Sequence, residues 1–151
     1  MSSAKKKVII SACILGEYCR YDGKTKEISA VAKAYEGYEI IPFCPEAPLF
    51  GTPRERINVV KVENEHRIIT DKTNVDVTQL LREEIERFCN KNPHADAIVL
   101  KSKSPSCGYG TTPVLDMDKK IVAYANGVGA DIFDTFYKDV KIQDEEQFGD
   151  D

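Results

Sequence analysis

The chain has 151 residues, of which 42% are hydrophobic and 30% charged, with a formal net charge of -4. That is enough apolar material for one packed domain and too much for intrinsic disorder. The acidic balance gives no general attraction to nucleic acid or an anionic membrane surface, and every apolar run falls well short of the ~20 residues of a membrane helix.

Val8 to Ala12 is a short β-branched run that reads as a buried strand, followed by a loop bounded by Gly16 and Gly23. Ile28 to Tyr35 has helical composition, and Gly37 is placed to end that helix. Glu39 to Phe43 is a second strand, in which Pro42 argues for an edge position. Cys44 to Arg56 carries three prolines and a glycine and reads as an irregular loop. Ile57–Val62 and Arg67–Thr70, on either side of Glu63-Asn-Glu-His66, predict a β-hairpin. Val77 to Lys91 is the clearest helix: Val77, Leu80, Leu81, Ile85 and Phe88 form an apolar stripe, Asp76 or Thr78 can cap it, and Asn92-Pro93 ends it. Ala97 to Leu100 is a third buried strand, and Lys120 to Tyr124 is expected as a fourth. Asn126 to Gly129 opens a last helix over Ala130–Lys138, and Val140–Ile142 reads as a short final strand. Strands alternating with helices predict a single α/β domain over residues 1–143, a three-layer α/β/α sandwich with a mostly parallel, Rossmann-like sheet, and an acidic, mobile tail over 144–151.

The five cysteines stand at 13, 19, 44, 89 and 107. Met1 to Lys7 and the short apolar run behind it do not form a secretory signal, so a cytoplasmic, reducing setting is expected, where thiols serve as core residues, nucleophiles or metal ligands. Cys13, Cys44 and Cys107 each follow the carboxyl end of a predicted parallel strand. Those ends share one rim in an open α/β sheet, so three thiols far apart in sequence are predicted to be neighbours. Cys89 lies on the amphipathic helix and reads as core. Cys19, in the Gly16–Gly23 loop, is either incidental or a fourth ligand. Three thiolates suit zinc, or an iron–sulfur cluster with one iron lacking a protein ligand, and the spacing does not choose between them. Arg20 and Arg54 lie in rim loops and are candidates for binding anionic or carbonyl groups of a substrate. His66 and His94 are expected at the surface, and Lys101 and Lys103 flank the rim loop as solvated side chains.

Ser11-Ala-Cys-Ile-Leu-Gly16, Arg20-Tyr-Asp-Gly23, Cys44-Pro-Glu46, Thr52-Pro-Arg54, Asp76-Val-Thr78 and Leu100-Lys101 with Ser104-Pro-Ser-Cys-Gly108 occur in that order. Together, over roughly residues 8–110, they resemble the TudS-type thiouracil desulfurase family. The resemblance implies an oxygen-sensitive 4Fe–4S cluster on Cys13, Cys44 and Cys107, and removal of sulfur from a small thiolated base with release of hydrosulfide. It also implies that Glu46 is the acidic catalytic residue and Ser104 a substrate-contacting serine. The rival expectation is a zinc-binding domain or a cysteine redox sensor without catalytic use of Glu46. The chain departs from the family pattern at Ala47–Gly51, Glu55–Asn58 and Tyr109–Asp118, and has Gly127-Val-Gly-Ala130 where a Gly-Val-Thr-Ala-Ala pattern is usual. Those departures bear on the substrate rather than on the cluster ligands.

Overall fold

The computed structural model describes residues 6–15, 29–51, 55–104 and 106–148. Four strands form a parallel sheet: β1 (Lys7–Ser11), β2 (Glu39–Phe43), β5 (Ala97–Leu100) and β8 (Ile142–Asp144), in the order β2-β1-β5-β8. Its two inner strands are apolar on both faces, as a covered parallel sheet requires. Val8, Ile10 and Val99 point one way and pack with Ile14 and Val31 beneath α1 (Ser29–Ala34). Ile9, Ile98 and Leu100 point the other way, into the larger core under α3 (Thr78–Lys91) and α4 (Val128–Phe136). The period of two along each strand therefore produces the expected α/β/α layering. Pro42 sits on edge strand β2, where its missing N–H leaves the ladder to β1 intact.

A second sheet stands beside the first, in the order β4-β3-β6-β7. The predicted hairpin supplies β3 (Ile57–Val62) and β4 (Glu65–Thr70), and β6 (Thr112–Leu115) joins β3 in parallel. The strand expected at 120–124 as part of the parallel sheet is β7 (Ile121–Ala125), antiparallel to β6 on the outer edge of this second sheet. Its residues are exposed through Tyr124, whereas a member of the parallel sheet would be buried on both sides. Ile57, Val59, Ile68 and Val114 of the second sheet share the core with Leu81 and Ile85 of α3. A ring cluster of Phe43, Phe88, Phe133 and Tyr137 joins β2 to both long helices.

Within the predicted irregular segment 44–56, residues Glu46–Phe50 form a short helix, α2, whose proline falls in the first turn, where no intrahelical N–H is needed. Helix α3 is entered through Asp76, whose Oδ1 accepts the Thr78 N–H (3.0 Å), while Thr78 Oγ1 accepts the N–H of Ile68 (2.8 Å). The tail expected from residue 144 onward is instead part of the fold as far as it is described. Asp144 belongs to β8, Glu145–Phe148 form a 3-10 turn, and Glu145 is 4% exposed. A buried ion pair described below fixes this segment. Among the described residues no helix is long and apolar enough to cross a membrane.

Candidate active site

Ser11 of β1 is in register with Phe43 of β2, and Ile10 with Val99 of β5. Three chain exits therefore lie side by side at one sheet edge, about 4.8 Å apart in the hydrogen-bonding direction. The first leads into the 3-10 turn Ala12–Leu15, which carries Cys13, the second directly to Cys44, and the third into the loop ending at Cys107. The side chain of Cys13, and all of Cys19, Arg20 and Arg54, lie outside the described residues.

Cys44 and Cys107 line one cleft of about 550 Å³, together with Ser11, Glu46 and Ser104. Cys44, Cys89 and Cys107 take part in no disulfide. Cys107 is buried, and burial pushes its thiol up to about 12, with Cys44 and Glu46 adding to the rise and hydrogen bonds to Ser11 and Ser104 opposing it. Ionising that sulfur requires positive charge in the cleft. Cys89 is buried elsewhere, in the core, where burial raises its thiol to about 11, in keeping with its expected structural role. His66 and His94 are exposed, as expected.

The loop between β5 and Cys107 is tied together by its own hydroxyls. Ser104 Oγ accepts the N–H groups of Ser106 (3.2 Å) and Cys107 (3.1 Å), and Ser104 O accepts from Gly108 N (2.9 Å) and Thr112 Oγ1 (2.6 Å). Gly108 is required by this packing, since a Cβ there would lie 2.1 Å from Thr112 Oγ1. The backbone of Lys101 joins the rim through its N–H, donated to Ser11 Oγ at 2.9 Å. Glu46 opens α2, and its Oε2 accepts the hydroxyl of Ser106 at 2.7 Å.

Lys101, expected as a solvated side chain, is instead held in place. Its Nζ lies 2.9 Å from Glu145 Oε2, and Glu145 also accepts the Ser102 N–H (2.7 Å) and hydroxyl (2.7 Å). Burial pushes the Glu145 carboxyl up, but Ser102 and Lys101 outweigh it and hold the group below the ordinary glutamate value. Lys101 and Arg56 both line the cleft, as do Lys119 and Ile121 from the second sheet. Of these four the sequence places only Lys101 near the rim; Arg56, Lys119 and Ile121 do not stand out there. Arg56 lies two positions past the candidate Arg54, and Lys119 and Ile121 reach the cleft only because β7 belongs to the second sheet.

Two soft thiols beyond the ends of β2 and β5, with the turn carrying Cys13 leaving β1 between them, suit a thiophilic metal centre. Among the described residues no three His, Cys, Asp or Glu side chains converge as a ligand set.

Comparison with known proteins gives the same direction. A solved structure of TudS, a 4Fe–4S-dependent thiouracil desulfidase, is similar with a TM-score of 0.70 at 29% identity, covering 95% of this chain and 93% of that one. The uncharacterized protein YbbK of Bacillus subtilis (strain 168) is 32% identical over 111 residues, which is 68% of this chain and 74% of its own length. The sequence profile of 2-thiouracil desulfurase matches residues 8–145, the span that includes both sheets and the whole cleft, and the chain belongs to the 2-thiouracil desulfurase family.

Proposed function

We propose that the protein removes sulfur from the thiocarbonyl of a thiolated pyrimidine such as thiouracil, giving the carbonyl compound and hydrosulfide, with a 4Fe–4S cluster held by Cys13, Cys44 and Cys107. The observation that carries this reading is the meeting of Cys44, Cys107 and Glu46 in one cleft at the carboxyl ends of parallel strands, in a chain of this family. When bound, the cluster supplies a thiophilic Lewis acid that polarises the carbon–sulfur bond. The rest is the work of side chains. Glu46, an acceptor held by Ser106, takes a proton from the attacking water and gives it to the departing sulfur, which leaves as hydrosulfide while the second water proton is released to solvent. Lys101 and Arg56 provide positive charge for the ring carbonyl oxygen. Ser104 holds the Cys107 backbone and, as the resemblance implies, offers its hydroxyl to the base. One water is consumed for each C=S converted to C=O, with no net redox change. The cleft volume of about 550 Å³ is within the range that accepts a small molecule. A cluster with an open iron suits a reducing compartment such as the cytoplasm.

The test is anaerobic reconstitution with iron and sulfide, with an iron count, a visible spectrum and a hydrosulfide assay on 2-thiouracil. Wild type is expected to bind about four irons per chain, as a 4Fe–4S centre requires, and to release hydrosulfide, while Cys107→Ala loses both. A folded wild-type protein that binds only zinc and stays colourless sinks the proposal in favour of a structural metal site. Failure to bind any metal, with a disulfide forming on mild oxidation, sinks it in favour of a redox sensor.

A further inference from the structure

The sequence motif around Cys107 contains a second serine that the resemblance leaves without a role. Ser106 is 0% exposed, yet its hydroxyl reaches across the cleft wall to Glu46, sixty residues away in sequence, with Oγ donating to Oε2 at 2.7 Å. Its backbone is pinned from the opposite side. Ser106 O accepts the N–H of Gly129 (2.7 Å) and of Ala130 (3.3 Å) in the first turn of α4, and Gly108 O accepts the N–H of Gly127 (2.6 Å). The residues on both sides of Cys107 are thus held by the start of one helix, whose N-terminal N–H groups need acceptors. The fit is close: a Cβ at Gly129 would lie 2.4 Å from Ser106 O and 3.4 Å from the Phe43 ring. Glycine here, where the family pattern carries threonine, lets the helix seat directly on the loop.

We infer that Ser106 is a positioning residue for Glu46: α4 fixes its backbone, and its hydroxyl holds the Glu46 carboxylate at the cleft. The inference rests on the desulfurase reading for its consequence, but not for the contact. The hydroxyl is the donor and the carboxylate the acceptor, so the contact orients Glu46 without occupying a proton the carboxylate would need. A fully buried donor with a fixed backbone does this with little freedom to be lost on substrate binding.

Two measurements test it. On metal-free protein, the infrared difference between wild type and Glu46→Gln isolates the Glu46 carboxylate band, and Ser106→Ala is expected to shift it. On reconstituted protein with 2-thiouracil, Ser106→Ala is expected to lower kcat about 10-fold with KM and iron content unchanged, the loss of one charge-assisted hydrogen bond. The same change made in the Glu46→Gln background is expected to cost nothing further, because a positioning residue acts only through its partner. An unshifted band, an unchanged kcat, or an equal loss in the Glu46→Gln background overturns the inference, the last by showing a structural role only. Should Ser106→Ala not fold, Gly129→Ala displaces Ser106 from the helix side with every polar group kept. It is expected to shift the same band and lower kcat, and unaltered values there overturn the inference as well. Wild type without hydrosulfide release refutes the desulfurase reading instead, and the infrared result still decides the contact.

Discussion

A carboxylate assists attack by water only when one oxygen is held and the other is left facing the water. Glu46 meets the first condition through the Ser106 hydroxyl, and the residue lines the cleft. Glu46→Gln keeps the side-chain volume and removes the proton acceptor. It is expected to lower kcat by roughly 10²–10⁴-fold, the usual share of a general base, while iron content stays at the wild-type level. Parallel kcat and iron measurements check this, and a variant that loses iron together with activity would mean that Glu46 supports the metal site instead. Cys89 and Cys107 make a useful pair beside it, both buried thiols raised by burial. Only Cys107 faces the cleft, so Cys89→Ala is expected to bind iron like wild type and Cys107→Ala to bind none. The strand-end rule alone separated those two cysteines in the sequence. It could not show Ser106 as Glu46's partner, or Arg56 and Lys101 as cleft residues, because those relations depend on loop geometry and on which sheet each loop faces.

At the scale of elements, α3 shows where a sequence pattern is and is not sufficient. Leu80 and Leu81 both belong to the apolar stripe read from the sequence, yet Leu81 is 0% exposed and Leu80 is 51% exposed. The stripe's period sets the helix, but its centre depends on what packs against it, here α4 and the second sheet. Leu81→Ala is expected to destabilise the protein by about 2–5 kcal/mol and Leu80→Ala by less than about 0.5 kcal/mol. Urea unfolding of the two variants measures the difference directly, and equal costs would place the helix in the wrong rotation. Strand β7 shows the limit more sharply. Ile121-Val-Ala-Tyr124 has the composition of a buried strand and was legible as a strand, but composition did not reveal its partner. That partner is β6, a segment the sequence left unassigned because Pro113 interrupts it. The parallel sheet was readable because its inner strands are apolar on both faces. Of the second sheet only the β3–β4 hairpin was, because the rest depends on pairing segments 57–62 and 112–115, about 50 residues apart.

For the whole molecule, the last described segment ties the far end of the chain to the active-site rim. Strand β8 closes the parallel sheet against β5, and Glu145, immediately after it, clamps Lys101 and Ser102 at the start of the loop that leads to Cys107. A buried carboxylate with an ammonium and two further donors is a costly arrangement to break, since removing one partner strands the others. Glu145→Gln is therefore expected to cost about 1.5–3 kcal/mol near neutral pH, the range for hydrogen bonds to a charged group. The sign of its pH dependence follows from the lowered carboxyl. The stabilisation is fully present above the unfolded glutamate value near ~4.3, and is lost as the pH falls through the lower folded value. The Tm gap between wild type and Glu145→Gln should accordingly be constant from pH 7 down to about pH 5 and close below about pH 4. Removing residues 144–151 takes away the carboxylate and part of β8 together. That shortened chain is expected to melt lower than Glu145→Gln and to retain less iron after reconstitution, because the Cys107 loop loses its anchor. A shortened chain with wild-type Tm and iron content would show that the rim is held by the Ser104 and α4 contacts alone, and that the end of the chain has no part in shaping the site.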